Sequence, residues 1–477
     1  MNYSLTRQRF ANLLATTTIA AYVLVALGTA VSTTDGAATC ATWPSCSTDL
    51  ALGPLSVESL LFWGHRVAAL VAGLLVVASG LATRQIGVGR RVRGLVGCAV
   101  ILFPVQVALG AVLVVGGPAA ANGLHLALAM IIFACLLVAL VCVLEDSARE
   151  RTDTARETGF GPGTNEAIDS GGTTSARERP SNPLVRLRQT VGAYLTLTKP
   201  RLMWLLCLVA VAGMGLATLT GETLELTTVV ATLVGGVLAI GASATFNHVY
   251  ERDRDRRMNR TADRPLVHDL VPVRSALSFG IVLVFASMAI LLTWVNVLAA
   301  ALTGAAIVYY AILYTVVLKP NTAWNTVLGG GAGALPAVIG WAAVTGDIGA
   351  PAIALAAVIF LWTPAHFYNL AIAYRDDYSR GGFPMFPVVN GVLAARRHVA
   401  FYLGATLLAA SVLGWLAGLG IVYAATSVAL GAVFLRSVIR QYRIQTDEAA
   451  LQSFYASNYY LGFVLFAIIF ETVIVAT

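Results

Sequence analysis

The sequence predicts an all-α polytopic membrane protein of about thirteen transmembrane helices, a four-helix bundle followed by a nine-helix bundle. Composition points to this class: 58% of the 477 residues are hydrophobic and only 12% are charged. The mean hydropathy of +0.78 is far above that of a soluble chain. Several stretches are apolar over about 18 residues or more, enough for a helix to cross a bilayer.

The apolar stretches supply the predicted spans in chain order. The first follows Arg7 and Arg9 as in a signal peptide, but it is longer than the apolar core of such a peptide and is interpreted as a retained span. The spans are predicted near 11–32, 60–82, 94–115, 122–143, 203–219, 227–246, 274–294, 296–316, 326–344, 351–372, 399–417, 419–438 and 459–476.

A polar segment divides these spans into two modules. Residues 145–183 are rich in Gly, Ser, Thr, Arg and Glu and almost free of large apolar groups. Such a composition does not bury enough surface to fold, which predicts a disordered cytoplasmic linker. The predicted organisation is a four-span domain at 1–144, a linker at 145–189 and a nine-span domain at 190–477.

The basic residues predict the orientation of the chain. If the N-terminus is cytoplasmic, 30 of the 31 lysines and arginines fall on inside segments. The net charge of +7 therefore reflects membrane topology, and no nucleic-acid partner is expected. We expect a multi-pass protein of the cell membrane whose charged loops are cytoplasmic. Arg66 is the exception and needs a separate explanation.

Two cysteines flank the segment ATWPS in a predicted outside loop. Disulfides persist outside the cytoplasm, so Cys40 and Cys46 are predicted to pair. A coincidental spacing is the alternative.

A dense charged segment follows the sixth span. Asn247, Glu251 and Asp255 are spaced i, i+4, i+8 and share one helical face if the helix continues past residue 246. Oxygen ligands on one face suit Mg²⁺, and interleaved arginines suit the phosphate oxygens of a diphosphate. The alternative is a basic loop that only anchors topology. The arginines are Arg252, Arg256, Arg260 and Arg264.

A second acidic cluster, Asp376 and Asp377, follows the tenth span in YRDDYSRGG, and the alternation of spans places it on the same side. Two carboxylate clusters on one face can bind a diphosphate from both sides through bridging Mg²⁺. Above apolar helices, this pattern predicts ionisation of an allylic diphosphate with the carbocation shielded from water.

These motifs resemble the UbiA-type intramembrane prenyltransferases, and more narrowly their protohaem IX farnesyltransferase (haem O synthase) branch. The resemblance covers about 190–477 and includes RRMNRTADRPL after the first acidic motif, FLWTPAHFYNLAIAY before the second, and LTKPRLMWLL at 197–206. It implies that a farnesyl group passes from farnesyl diphosphate to a vinyl group of haem B, and that water completes the hydroxyethylfarnesyl side chain of haem O.

The resemblance also implies roles for individual residues. It assigns Asn247, Glu251, Asp255, Asp376 and Asp377 to catalysis, with Asn247, Glu251, Asp255 and Asp377 as the Mg²⁺ ligands. The family usually has Asp where Glu251 stands, and Glu keeps the charge. Substrate contacts are expected from Lys199, Arg260, Arg264, Lys319, Tyr374 and His366. His366 is either a haem contact or a hydrogen-bonded core residue.

Two histidines of the first module begin spans near the outside. His65 and His125 could clamp one haem between helices, with Arg66 beside a propionate; interfacial hydrogen bonding is the alternative. The stretches around them resemble half of haem A synthase, including HRVAA at 65–69 and HLALA at 125–129. Only one four-helix unit is present, and Phe62 stands where that family has Glu, so activity would require dimerisation or a partner.

Three functional hypotheses follow. The leading one is haem O synthesis for a terminal oxidase, with haem A synthase or oxidase assembly proteins as possible partners. The second keeps the prenyl transfer but replaces the acceptor by a quinone precursor or a lipid. The third is a haem carrier without catalysis, which leaves the acidic clusters unexplained.

Overall fold

The computed structural model describes residues 2–32, 43, 56–116, 118, 120–157 and 183–474. Within these ranges every regular element is helical. Thirteen of the helices are long and apolar enough to cross a membrane, which confirms the predicted fold class and number of spans. Cys40 and Cys46 lie outside the described residues.

The described part of the N-terminal module is a ring of four long helices. They are α1 (Asn2–Ser32), α2 (Val57–Gln85), α3 (Arg90–Val114) and α4 (Ala120–Glu157). Helix α1 packs against α2 and α4, and α3 packs against the same two from the other side, so α2 and α4 lie on the diagonal. Leu14, Phe133 and Leu136 are buried in its core.

Within the described residues, the C-terminal module contains twelve numbered helices, and nine of them belong to segments long enough to cross a membrane. They are α5 (Pro183–Leu197), α6 (Pro200–Thr218), α7 (Leu226–Asp255), α8 (Val273–Trp294), α9 (Val297–Val308), α10 (Asn325–Thr345), α11 (Ala350–Ala373), α12 (Arg375–Arg380), α13 (Phe386–Asn390), α14 (Val392–Ala417), α15 (Ile421–Ile444) and α16 (Asp447–Ile469). Helix α9 continues through π-helical turns, Tyr309–Leu318, into Lys319–Asn321. We call the end of the bundle where α7 ends and α14 begins the basic end.

Small residues bring α6 and α10 into backbone contact. A Cβ at Gly213 would lie 2.3 Å from the carbonyl oxygen of Ala337, and a Cβ at Gly340 would lie 2.0 Å from that of Ala210. Because backbone atoms have no room to give way, only glycine fits at both positions. Such close approach is how helices pack in a membrane, where lipid is as apolar as the side chains.

The predicted linker is helical at both ends. Helix α4 runs 13 residues past the predicted domain boundary at 144, and α5 occupies 183–197. Extending an existing helix requires no new nucleus, so a polar segment attached to a span can stay helical. Contacts also hold it, since Arg7 pairs with Glu150 and Arg151 donates to the carbonyl of Tyr442 at 2.7 Å.

The two modules pack directly against each other. Helices α1 and α4 contact α14 and α15. Tyr22 and Ser427 share a buried hydroxyl–hydroxyl hydrogen bond of 2.7 Å, and Leu137 of α4 reaches the backbone of α14 at Gly404. Buried polar pairing and close packing together fix how the N-terminal bundle sits on the last helices of the chain.

Candidate active site

The first acidic motif lies on the last turns of α7, at the basic end. Because the helix continues unbroken to Asp255, the spacing places Asn247, Glu251 and Asp255 on one face, as the sequence predicts. Between 1% and 2% of each residue is exposed. We call these three residues the acidic stripe. The acidic stripe is therefore buried between helices and is not a solvated face.

Each member of this stripe has a cationic partner from elsewhere in the chain. Lys199 donates to the amide oxygen of Asn247, and Lys319 pairs with Glu251. Arg264 lies 2.6 Å from Asp255 and 3.9 Å from Glu251. A buried carboxylate without a partner would be strongly destabilising, so these contacts explain how the acids are tolerated.

Lys199 is held in an unusual conformation. It precedes Pro200 and has φ 52° and ψ 57°, in the left-handed region that side chains other than glycine rarely adopt. Strain of this kind persists only where the surroundings impose it, often at functional sites. Burial, aided by the nearby Arg264, lowers the pKa of Lys199 to about 7, although Glu251 opposes the shift.

The π-helical turns of α9 line the inner side of the stripe. Thr315 accepts a hydrogen bond from Asn247 at 3.2 Å and donates to the carbonyl of Tyr310, five residues earlier, at 2.8 Å. The Tyr310 ring lies 6.0 Å from the Lys199 ammonium. π-Helical turns occur often at functional sites because they re-aim side chains, and here they bring Thr315 and Lys319 to α7.

The second acidic motif closes the site from the other side. Asp377 accepts hydrogen bonds from the backbone amides of Asn259 at 3.1 Å and Arg260 at 3.0 Å, and it pairs with Arg380. Burial alone would raise its pKa, but these donors hold the pKa of Asp377 below the usual range. The loop after α7, which follows the first motif, is thus tied to α12, which carries the second.

Arg260 joins the same assembly through aromatic rings. Its guanidinium lies 5.2 Å from the ring of Tyr374 and 5.4 Å from that of Tyr378, and it donates to the Tyr378 hydroxyl at 3.1 Å. The Lys319 ammonium lies 4.4 Å from the ring of Phe383, in the loop after the second motif. These cation–π contacts attach Arg260 and Lys319 to aromatic rings of the second motif and of the loop after it.

Three side chains that the sequence groups with the site lie elsewhere. The Asp376 side chain is 76% exposed and pairs only with its neighbour Arg375 among the described residues. Arg252 binds the carbonyl of Leu266 and the carboxylate of Asp269, and Arg256 also faces Asp269. Arg252 and Arg256 therefore stabilise the loop, whereas the Arg264 side chain contacts the acids of the first motif.

Two of the four histidines of this module, His248 and His366, are buried. His366 lies between the rings of Trp362 and Phe454, at centroid distances of 4.3 and 4.2 Å, and its Nδ1 is 2.7 Å from Ser457 Oγ. This setting favours the core interpretation over haem ligation. His248 is 3% exposed, and neither ring nitrogen has a partner among the described residues.

The donor set fits a hard divalent cation. Within the described ranges no three His, Cys, Asp or Glu residues form a metal cluster on their own. The stripe instead supplies one amide and two carboxylates, and Asp377 supplies a third carboxylate. Mg²⁺ prefers this kind of partial protein shell, completed by water and phosphate oxygens. Five cationic side chains surround three acids, which also favours an anionic ligand: Lys199, Arg260, Arg264, Lys319 and Arg380.

The N-terminal histidines lie on the two diagonally opposite helices of their bundle. His65 is on α2 and His125 is on α4. A Cβ at Gly28 would lie 3.2 Å from the His65 ring, and a Cβ at Gly110 would lie 3.0 Å from the His125 ring. The Nδ1 atom of each is buried with no partner among the described residues. Arg66 is half-buried beside His65.

Several residues of the site carry no distinctive sequence signal. Thr315 is unremarkable in an apolar span, and its role depends on the π-helical register. Tyr378 and Arg380 could have been noted, since they follow Asp377 by one and three residues on a short helix. The i, i+3 spacing of Asp377 and Arg380 is a known pattern for ion pairs.

Comparisons with known proteins show the family to which the chain belongs. The model of the UbiA prenyltransferase family matches residues 206–464. Protoheme IX farnesyltransferases of Haloarcula marismortui and Haloquadratum walsbyi are each 51% identical, covering 97% and 98% of this chain and 98% and 97% of their own lengths. One from a Nocardioides species is 41% identical over 62% of this chain and 96% of its own.

A solved structure shares the fold. The structure, reported for digeranylgeranylglyceryl phosphate synthase in membranes, has a TM-score of 0.50 and 14% sequence identity. It covers 60% of this chain and 99% of its own chain.

Proposed function

Because the chain belongs to the UbiA prenyltransferase family, we propose that it transfers a farnesyl group from farnesyl diphosphate to a vinyl group of haem B. Addition of water would complete the hydroxyethylfarnesyl side chain of haem O. Family membership confirms the resemblance predicted for 190–477. The buried stripe of Asn247, Glu251 and Asp255, opposed by Asp377 and ringed by cations, is the observation that carries the proposal.

The acids and the cations have different roles in binding the diphosphate: the acids would bind Mg²⁺, and the cations would bind phosphate oxygens. Asn247, Glu251, Asp255 and Asp377 would hold Mg²⁺, which when bound neutralises charge that develops on a departing diphosphate. Arg264 and Lys319 are already fixed beside the acids and would pair with phosphate oxygens. Preorganised cations cost little reorganisation when negative charge moves onto the leaving group.

The side chains beneath the stripe shield the reacting carbon. Tyr310 and Tyr314 lie toward the bundle interior from Lys319, with ring centroids 5.5 Å apart. An aromatic face stabilises a neighbouring cation and excludes water, and an allylic carbocation requires both. We therefore assign these two rings to the farnesyl end of the site.

The proposal is tested by the haem content of membranes from a host that makes only haem B. We expect expression of the chain to produce a haem heavier by one farnesyl group and one water, identified by chromatography and mass spectrometry. If haem B stays unmodified while folded protein and farnesyl diphosphate are present, the haem assignment fails. Prenylation of an added quinone precursor or lipid would then identify the acceptor.

We further propose that the N-terminal bundle binds a haem between His65 and His125. The unpartnered Nδ1 atoms and the small residues opposite the rings support this role. Arg66 lies beside His65, where a propionate would need a cation. Transfer of a product haem to haem A synthase or to oxidase assembly proteins stays a prediction.

A further inference from the structure

A cavity opens where the two modules meet, at the basic end and away from the acidic stripe. Its volume is about 500 Å³. Helix α4 of the first module forms one wall, and the start of α14 with the end of α15 forms the other. Its polar lining consists of Arg149, Thr152, Asp153, Arg396 and Gln445.

One arginine in this lining is buried without a partner. Arg396 is only 5% exposed. Its Nε has no hydrogen-bond partner among the described residues, and no carboxylate in that part of the chain forms an ion pair with it. Arginine stays charged, and a buried charge without an ion-pair partner is strongly destabilising. The protein alone does not satisfy this guanidinium.

The nearest acids are engaged with other arginines. Glu145 lies 3.7 Å from Arg397, and Asp447 lies 3.3 Å from Arg375. Asp153, on the wall of the cavity, is exposed to solvent. Asp447 has a favourable charge interaction with Arg396, but it forms no ion pair with it and is already paired with Arg375.

The walls of the cavity are fixed by contacts between the modules. Arg151 donates to the carbonyl of Tyr442 at 2.7 Å, and Gln445 donates to that of Ala148 at 3.3 Å. These bonds hold α4 at a set distance from α15. The gap beside Arg396 is thus a built feature of the junction.

We infer that this cavity binds a phosphate-type oxyanion, held by Arg396 from one module and Arg149 from the other. Guanidinium groups match phosphate oxygens in geometry and charge. The anion is either the headgroup phosphate of an acidic lipid at the membrane edge or a free phosphate. In both cases the bound anion joins the two modules and stabilises their junction. The inference stands independently of the prenyl acceptor.

The test compares full-length wild type with three variants in two kinds of nanodisc. One contains only phosphatidylcholine, and the other adds phosphatidylglycerol; a third sample receives inorganic phosphate in the uncharged disc. The variants are Arg396→Met, Arg149→Gln and the control Arg440→Met, which removes an exposed arginine from α15 at the same end. The readouts are the midpoint of thermal unfolding and lipid retention in native mass spectrometry.

For wild type and the Arg440→Met control, we expect the acidic lipid or the phosphate to raise the unfolding midpoint by roughly 3 °C. Arg396→Met should lose this gain and bind the anion about tenfold or more weakly. A gain with lipid alone identifies a headgroup, and a gain with phosphate identifies the free anion.

The inference is overturned if neither anion changes the midpoint of wild type, or if Arg396→Met and the control respond equally. Should Arg396→Met not fold, Arg149→Gln decides, because Arg149 is exposed and its loss should weaken anion binding without disturbing the core. An unchanged anion response in Arg149→Gln would then contradict the shared site.

Discussion

The acids at the end of α7 and the histidines of the N-terminal bundle are both buried polar groups, but only the acids have partners within the described residues. Glu251 and Asp255 each have a cation from another part of the chain. The Nδ1 atoms of His65 and His125 have no partner among the described residues.

The difference follows from charge. A buried carboxylate without a counter-charge is too costly to keep, so the fold supplies one even before a ligand binds. A neutral imidazole costs only about one lost hydrogen bond, so it can stay unpaired. The paired acids indicate a site whose charges are already balanced and positioned before a ligand binds, whereas the unpaired histidines indicate a site whose ligand adds contacts.

The largest effect is expected when the stripe loses a carboxylate. Asp255→Ala should lower the rate of prenyl transfer about a thousand-fold, or ~4 kcal/mol, because a proposed metal ligand and the partner of Arg264 disappear together. The measurement is product formation in membranes at saturating substrate. The matched control is Asp253→Ala, since the Asp253 side chain is 81% exposed, and it should keep nearly full activity. Equal losses in both variants would contradict the role of the stripe.

The second acidic motif allows an internal comparison between neighbours. Asp377→Ala should reduce activity about a hundred-fold, because it releases the amides of Asn259 and Arg260 and misplaces the loop. Asp376→Ala should change activity little, since its side chain is exposed. Hydrogen exchange at residues 256–264 should rise only in the Asp377 variant. The opposite order of the two variants would show that Asp376 is the functional acid.

Loss of an N-terminal histidine should affect haem binding to the first module without affecting prenyl transfer by the second. His65→Ala and His125→Ala should each weaken haem binding to the N-terminal bundle about tenfold or more, because an axial ligand is removed. Prenyl transfer should continue in both. Haem titration followed by absorbance in detergent is the measurement, with the partly exposed His268→Ala as control. Unchanged affinity in both variants would mean that the rings are structural.

The smallest effect on activity is expected when one acidic side chain is shortened. Glu251→Asp keeps the charge but shortens the side chain by one methylene, so its contact with Lys319 should lengthen without being lost. We expect a change of roughly fivefold in activity, within what one weakened charged contact can produce. The Mg²⁺ concentration for half-maximal activity should shift by a similar factor. A loss as large as that of Asp255→Ala would show that the site requires Glu at this position.

The spacing of residues along the helix was enough to predict the acidic stripe. It was not enough to predict which cations pair with the acids. Asn247, Glu251 and Asp255 follow from helical periodicity alone. Arg252 and Arg264 look equivalent in the sequence, yet only Arg264 reaches the acids, because the loop folds back and Arg252 binds Asp269. Loop geometry of this kind depends on contacts that a periodic pattern does not encode.

The sequence by itself determined the class of this protein: thirteen apolar spans, a basic end and two acidic motifs on one side of the membrane. These features are local, set by hydropathy, charge and helical repeat. The tertiary structure alone decided which cation meets which acid, since Lys199, Arg264 and Lys319 come from three separate segments. It also decided that Arg396 would be buried at the junction of the modules, because burial depends on how helices distant in sequence pack together.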